Sequence, residues 1–322
     1  MEILRYTNLY KEQWDSFIET SKNGTFLFQR GFMEYHQNRF EDFSLLIFNK
    51  EKLIAVLPAN IANNIVYSHQ GLTYGGLVLN KDFNFSSYKE LFMALLKFLH
   101  QQDIKQLNLK PIPEIYNIGI CDEIKSILPI VNGKLIRSEI SLTTTIKPSY
   151  TFSKLRIRGV KKGIKNNLTI KETNHLEPFW NQILIPNLLE KHQTNPTHNL
   201  EEISLLKKLF PKKIRQFEVY HEDQIIAGTT IFETQQTAHS QYISGKKEFN
   251  HLGGLDFLFN ELITIVFKDK KYFNFGVSTA VSENKINEGL FNWKQGFDAQ
   301  PILHNQFSIE TVNYKNLEIV FV

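Results

Sequence analysis

The chain has 322 residues, 42% of them hydrophobic and 22% charged; that is long enough for two domains of about 150 residues and too apolar for a disordered or fibrous polymer. Its 37 basic and 33 acidic residues leave a formal charge of +4, too small to point to a nucleic-acid partner unless the cations are clustered. Cys121 stands alone, and apolar runs such as Leu262–Phe267 are far shorter than the roughly 20 residues that cross a bilayer, which argues against both an internal disulfide and a membrane-spanning helix.

In chain order, Met1-Glu2-Ile3-Leu4-Arg5 reads as a strand rather than a secretory leader, so a reducing cytoplasm is the expected compartment. Residues 43–49 and 53–58 flank a Lys-Glu-Lys turn and predict a hairpin. A helix follows at Tyr88–Gln101, with Leu91, Leu95, Phe98 and Leu99 on one stripe, and then a short strand at Lys105–Leu109. The same layout returns later, where Ile225-Ile226-Ala227 matches Leu53-Ile54-Ala55 in a hairpin over residues 215–220 and 225–232. Its helix, Leu255–Lys268, is apolar nearly all round and therefore buried, and Lys271–Phe275 is its closing strand. A strand, a helix and a second strand of this kind make a right-handed parallel crossover. The expected fold class is α/β with mixed sheets, built by internal duplication, with one domain over residues 1–147, a second over 148–322 and the Pro148 segment between them.

Ahead of the second hairpin, Asn174 with Glu177 and Asn199 with Glu202 have the capping-box spacing and predict two helices. Pro186 bends or ends the first and Pro211 stops the second. Residues 147–171 carry eight bases and no acid, including Lys154, Arg156, Arg158, Lys161, Lys162 and Lys165. Leu155, Ile157, Val160 and Ile164 interrupt them at helical spacing, which predicts a helix anchored to the protein by its aliphatic residues, with its cations turned to solvent or to phosphate.

Asp42–Phe48, Tyr67–Gly76, the basic run from Lys154, Pro196–Glu202, His239–Ser244, Phe273–Ser278, Gly289-Leu290, Lys294 and Gly296-Phe297 follow one another in an order that resembles the Fem-like, double-domain acyltransferases of the GNAT superfamily. That group includes the aminoacyltransferases that branch peptidoglycan. The resemblance implies two tandem GNAT-like acyltransferase domains, with the transfer site in the second. Val277 and Asp298 stand where the family pattern has Gly, and no long coiled-coil arm is inserted.

Acyl transfer to an amine needs an acceptor for the amine proton, donors for the developing oxyanion and a cradle for the donor's phosphates. On the strand around residues 237–244, His239 and Gln241 alternate onto one face and Tyr242 onto the other. A neutral imidazole at His239 would take the proton, or His239 is an ordinary hydrogen-bonded strand residue. By the resemblance, Lys294 points toward the donor's carbonyl or phosphate; otherwise it is a solvated lysine beside Trp293. Gly253-Gly254, preceded by Lys246 and Lys247, would offer backbone amides to an anion at a helix start, or simply make the turn. The GNAT pyrophosphate pattern is not met there, because Glu248 and His251 occupy its places.

Ser278, just past a strand's carboxyl end, would hydrogen-bond a donor or cap a helix. His198, six residues after His192, would touch substrate or cap its own helix; with no Cys or carboxylate at ligand spacing, no metal is expected. In the first half, the resemblance makes His69, Gln70 and Tyr74 an acceptor wall, and the alternative is a structural loop.

Three functions fit these residues. The first is an N-acyltransferase moving an acyl group from acetyl-CoA or another acyl-CoA to an amine on a small or nucleotide-linked acceptor, by direct attack. The second is a Fem-like aminoacyltransferase using aminoacyl-tRNA and a peptidoglycan precursor, a reading the basic run favours. The third is a non-catalytic GNAT-fold binding module.

Overall fold

The structure is a computed structural model that describes residues 1–280 and 285–319; the side chains of His192, Thr279, Ala280, Lys285 and Ile319 lie outside that description. In chain order its elements are β1 (Glu2–Arg5), α1 (Lys11–Thr20), α2 (Arg30–Met33), β2 (Glu41–Asp42), β3 (Leu45–Asn49), β4 (Lys52–Leu57), β5 (Asn60–Ala62), β6 (Ile65–Tyr67), β7 (Val78–Leu79), α3 (Phe85–Gln101), β8 (Gln106–Leu109), α4 (Glu123–Ile127) and β9 (Lys134–Thr145). There follow α5 (Lys154–Lys165), β10 (Thr169–Thr173), α6 (Glu177–Phe179), α7 (Ile185–His192), α8 (Leu200–Leu209), β11 (Ile214–His221), β12 (Gln224–Glu233) and β13 (Thr237–Gly245). The last are α9 (Gly254–Glu261), β14 (Tyr272–Val277), β15 (Thr279–Ala280), β16 (Lys285–Ile286), α10 (Glu288–Gln295) and β17 (Ala299–Glu310). Among the described residues no helix is long and apolar enough to cross a membrane.

The elements form two compact units, one of Met1–Glu139 with the residues from Leu303 onward, the other of Ile140–Ile302. This differs from the expected division at residues 147 and 148. The breaks fall inside β9 and inside β17, because Phe307–Glu310 of β17 pair antiparallel with β8, and that ladder assigns the chain's last strand to the first unit.

In the first unit, one sheet runs β1-β3-β4-β7 and a second runs β17-β8-β6-β5-β2. The expected hairpin is β3–β4, turned over Lys50 in the left-handed region at φ 55°. Helix α3 connects to β8, which pairs in parallel with β6 so that Leu107 faces Val66. Its stripe of Leu91, Leu95 and Leu99 is fully buried, and each such leucine contributes about 2 kcal/mol of apolar burial. Asn84 starts the helix by accepting a hydrogen bond from the Ser87 amide.

The second unit repeats this plan in the sheet β10-β11-β12-β13-β14-β9, in which only β13 and β14 run parallel among those neighbours. Helix α9 is the crossover between them, and Leu258, Phe259, Leu262 and Ile263 are fully buried against Phe273 and Phe275. Asn199 and Glu202 close the expected capping box at the start of α8. Asn174 does not cap: β10 extends to Thr173, and α6 starts after Leu176 with no side-chain cap.

Helix α5 forms where the basic run predicts it, but its buried side is not the expected one. Arg156, Gly159 and Gly163 face α9, while Leu155, Ile157 and Ile164 are 56%, 43% and 60% exposed. The cause is close approach. A Cβ on Gly159 would sit 1.7 Å from the Asp256 carboxylate, and one on Gly163 would sit 2.6 Å from Phe257 Cβ. Only glycine at these two places lets the helices come so near.

Candidate functional site

Within the second unit, a cavity of about 980 Å³ opens between β12, β13, α5, the start of α9 and α10. Among the described residues six cations line it (Arg156, Arg158, Lys162, Lys191, Lys246 and Lys294) against one carboxylate, Asp256. That carboxylate is already engaged: Asp256 Oδ1 accepts from the Arg156 guanidinium and from Trp293 Nε1 at 2.9 Å. The space left for a ligand is therefore strongly positive and suits an anion.

Lys294 is the most constrained of the six. It is 2% exposed, and its Nζ donates to the carbonyls of Gly276 and Val277, both at 2.9 Å. Among the described residues no carboxylate pairs with it, and burial pulls its pKa down to about 7. Two of its donor positions go to protein, and the remaining one belongs to a side chain that lines the cavity. The Asp256–Trp293 bond ties α10 to α9 one residue before Lys294 and so sets its direction.

Strand β13 carries a bulge beside this lysine. Thr230 pairs with Tyr242 and Ile231 with Ser240, which leaves Gln241 as the extra residue. The expected alternation is thereby broken. His239, opposite Phe232, and Tyr242, opposite Thr230, share one face, and Ser240 takes the other, where its hydroxyl meets Thr229 Oγ1 at 2.6 Å. The ring of His198 confirms the shared face, since it packs on both Phe232 and Tyr242.

His239 is buried, and its tautomer follows from its partner. Asn274 Oδ1 accepts from the Gly276 amide at 2.8 Å, while Asn274 Nδ2 donates to Ser141 and Thr143. The oxygen of this amide is thus fixed, and His239 Nδ1, 2.7 Å from it, must carry the ring proton. Burial lowers the ring's pKa to about 4, so the lone pair sits on Nε2, and Gln241, whose Oε1 is 3.2 Å away, must turn its NH2 group inward to donate to it. Asn274→Asp is expected to replace that neutral acceptor with a charged one and to raise the His239 pKa well above 4. A proton NMR titration of the ring would check this, and an unmoved midpoint would remove Asn274 from the account.

No protein-family model matches the chain, and no curated protein matches it by sequence. Solved structures do match. FemX has 10% identity over 99% of this chain and 100% of its own, with a TM-score of 0.69. L-PGS from Bacillus licheniformis has 11% identity over 96% of this chain and 94% of its own, with a TM-score of 0.60. A tandem GNAT protein from the clavulanic acid biosynthesis pathway has 8% identity over 96% and 98%, with a TM-score of 0.50. The chain has a Fem-like, tandem GNAT fold.

This Fem-like fold brings some of the sequence candidates together and separates others. Gln241, Lys246, Gly253, Gly254 and Lys294 line the cavity. Lys294 is buried, contrary to the surface alternative. His239 lies behind Gln241 and outside the lining, and Lys247 is exposed on the turn beyond it. Gly253, at φ 81°, abuts the Gly159 carbonyl, so its missing side chain serves the contact with α5 as well as the turn. Ser278 is buried off the cavity, with its amide bonded to the Ile140 carbonyl.

His198 is buried: its amide and Nδ1 meet the Tyr242 hydroxyl at 3.2 and 2.6 Å. In the first unit, Tyr74 is packed in the core on Tyr116 and bonds Thr25, Gln70 pairs with Asn60, and His69 is buried against His36 and Phe40. These three build a packed loop whose glycines admit close contacts, such as that of Gly71 with the His36 ring. Asn274 and Asp256 were not among the candidates, and Arg156 was expected only as one cation of the basic run. Asn274 did leave a signal, as a lone amide inside the aromatic strand Phe273-Asn274-Phe275.

Proposed function

We propose that the second unit is an N-acyltransferase that moves an acyl group from an acyl-CoA to an amine on a small or nucleotide-linked acceptor. The observation that carries this reading is Lys294, a buried lysine held on two carbonyls at the wall of a cavity that, among the described residues, is lined by six cations and one carboxylate, which Arg156 already pairs. The amine nitrogen attacks the thioester carbon, and a C–N bond forms as the carbonyl oxygen becomes an oxyanion. Lys294 stabilises that charge where it develops. Collapse breaks the C–S bond and releases the coenzyme thiolate, which takes up a proton, while the nitrogen loses its own. His239 is the candidate acceptor for the latter through Nε2, which lies 3.2 Å from the Gln241 side chain that stands between it and the cavity. No covalent enzyme intermediate is required.

A second reading, an aminoacyl-tRNA donor as in a Fem-like aminoacyltransferase, draws support from the start of α9. There the Gly159 carbonyl crowds Gly253 and Asp256 occupies the first turn, which makes that helix end a poor cradle for a coenzyme's pyrophosphate. Thermal-shift measurements separate the two. A ligand at about 100 times its Kd stabilises the native state by about 2.7 kcal/mol. Coenzyme A and acetyl-CoA are expected to raise the melting temperature, and charged tRNA is not. A response to tRNA alone would overturn the first reading in favour of the second, and silence to all three would leave a binding module without a donor site.

A further inference from the structure

We propose that the outward side of α5 is a contact surface for an anionic lipid bilayer. The helix is twelve residues long, or about 18 Å at 1.5 Å per residue. Its inner side, Arg156, Gly159 and Gly163, is spent on α9. Ile157, Val160 and Ile164 recur at i, i+3 and i+7 and form an aliphatic strip, with Ile157 and Ile164 exposed. Lys154, Arg158, Lys161 and Lys165 recur at i, i+4, i+7 and i+11 along the next strip, and all four are exposed. The helix contains no acid, and among the described residues none of these four cations is in an ion pair.

Isolated exposed aliphatics on a surface need no explanation. Here they are aligned along one helix and flanked by unpaired cations, and that combination selects the partner. Nucleic acid would engage the cations and leave the isoleucines in water, and the face offers no aromatic ring on which a base could stack. A bilayer surface with anionic headgroups engages both strips at once: the isoleucines enter the acyl boundary, and the lysine stems lie along it while their ammonium groups reach the headgroups. With so few apolar groups the contact is reversible and depends on both strips. Arg158 belongs to both this strip and the cavity lining, whereas none of Lys154, Lys161, Lys165, Ile157 and Ile164 lines the cavity, so substitutions at those five test the surface apart from the acyl-transfer reading.

The test is co-sedimentation of the full chain with vesicles of phosphatidylcholine, with and without about one third phosphatidylglycerol, in moderate salt. Binding is expected to rise about tenfold or more with the anionic lipid, because each cation near such a surface adds to the attraction. The variant Lys154→Glu/Lys161→Glu/Lys165→Glu should lose that rise. Ile157→Ser/Ile164→Ser, which keeps the charge, should lose most of the binding as well. Equal sedimentation with and without phosphatidylglycerol overturns the proposal. So does full vesicle binding by the serine variant, or tRNA binding by the parent that the glutamate variant loses and the serine variant keeps, since either result assigns the face to charge alone. Circular dichroism melts of both variants, altered only at exposed positions, show that a loss is not unfolding.

Discussion

Lys294→Met is expected to lower the rate of acyl transfer by about 10²- to 10³-fold, the range seen when a single oxyanion donor is removed. The same variant changes the pH dependence of stability in a way that is measurable without any substrate. Burial brings the folded-state pKa to about 7, from an ordinary value of 10.5. Between those two pH values the unfolded chain holds a proton that the folded chain has released. Wild-type stability therefore rises by about 1.4 kcal/mol per pH unit across this window from this group alone, on the order of 5 kcal/mol in all, and below pH 7 the slope vanishes. Methionine has nothing to titrate. The gap in unfolding free energy between the two proteins should widen in favour of the wild type from pH 7.5 to pH 9.5, read by urea denaturation at each pH. Parallel pH profiles would show that the lysine is not buried as described.

Acid should destabilise the protein steeply before its carboxylates titrate. His69 is pulled down to about 3 by burial and by the neighbouring His36, and His239 is pulled down to about 4 by burial. His36, lowered to about 4 by burial and by Arg39, adds to them in the same direction. A histidine whose folded pKa is depressed gives its full stabilisation above its unfolded value of about 6.5 and loses it as pH falls toward the folded value. His69 and His239 together make stability fall by about 3 kcal/mol per pH unit between roughly pH 6 and pH 4. The position of His69, at φ 62°, restricts the replacement, and Asn tolerates that backbone. His69→Asn should remove about one proton from the slope, measured as the change in denaturation midpoint between pH 6.5 and pH 4.5. If the parent and the variant shift equally, His69 is solvated in the native protein.

What could be read in advance was whatever repeats at a fixed period. The stripe on α3, the apolar α9, both hairpins and the capping box at Asn199 all follow from spacing, and they came out within a few residues of expectation. The site depended on departures from period. One unpaired residue, Gln241, reverses the facing of its neighbours, and an alternating pattern carries no mark of such an insertion. Helix α5 was misread because aliphatic spacing normally marks the buried side, whereas here two glycines and an arginine do so by letting α9 approach. Lys294 was found only by resemblance, and its burial depends on the carbonyls of Gly276 and Val277, whose placement comes from the left-handed backbone of Gly276 at φ 71°. His198 and Tyr74 carry the polar residue types that mark sites in loops, but large aromatic neighbours turned both inward.

The breaks within β9 and β17 nest one body in the other along the chain, since all of Ile140–Ile302 is synthesised before the segment that finishes the earlier unit. Throughout the synthesis of the second unit, the first therefore lacks a strand beside β8. Until Phe307–Glu310 arrive, the edge of β8 offers unpaired amides and carbonyls to any extended peptide nearby, which makes that interval the one in which a chaperone would matter most.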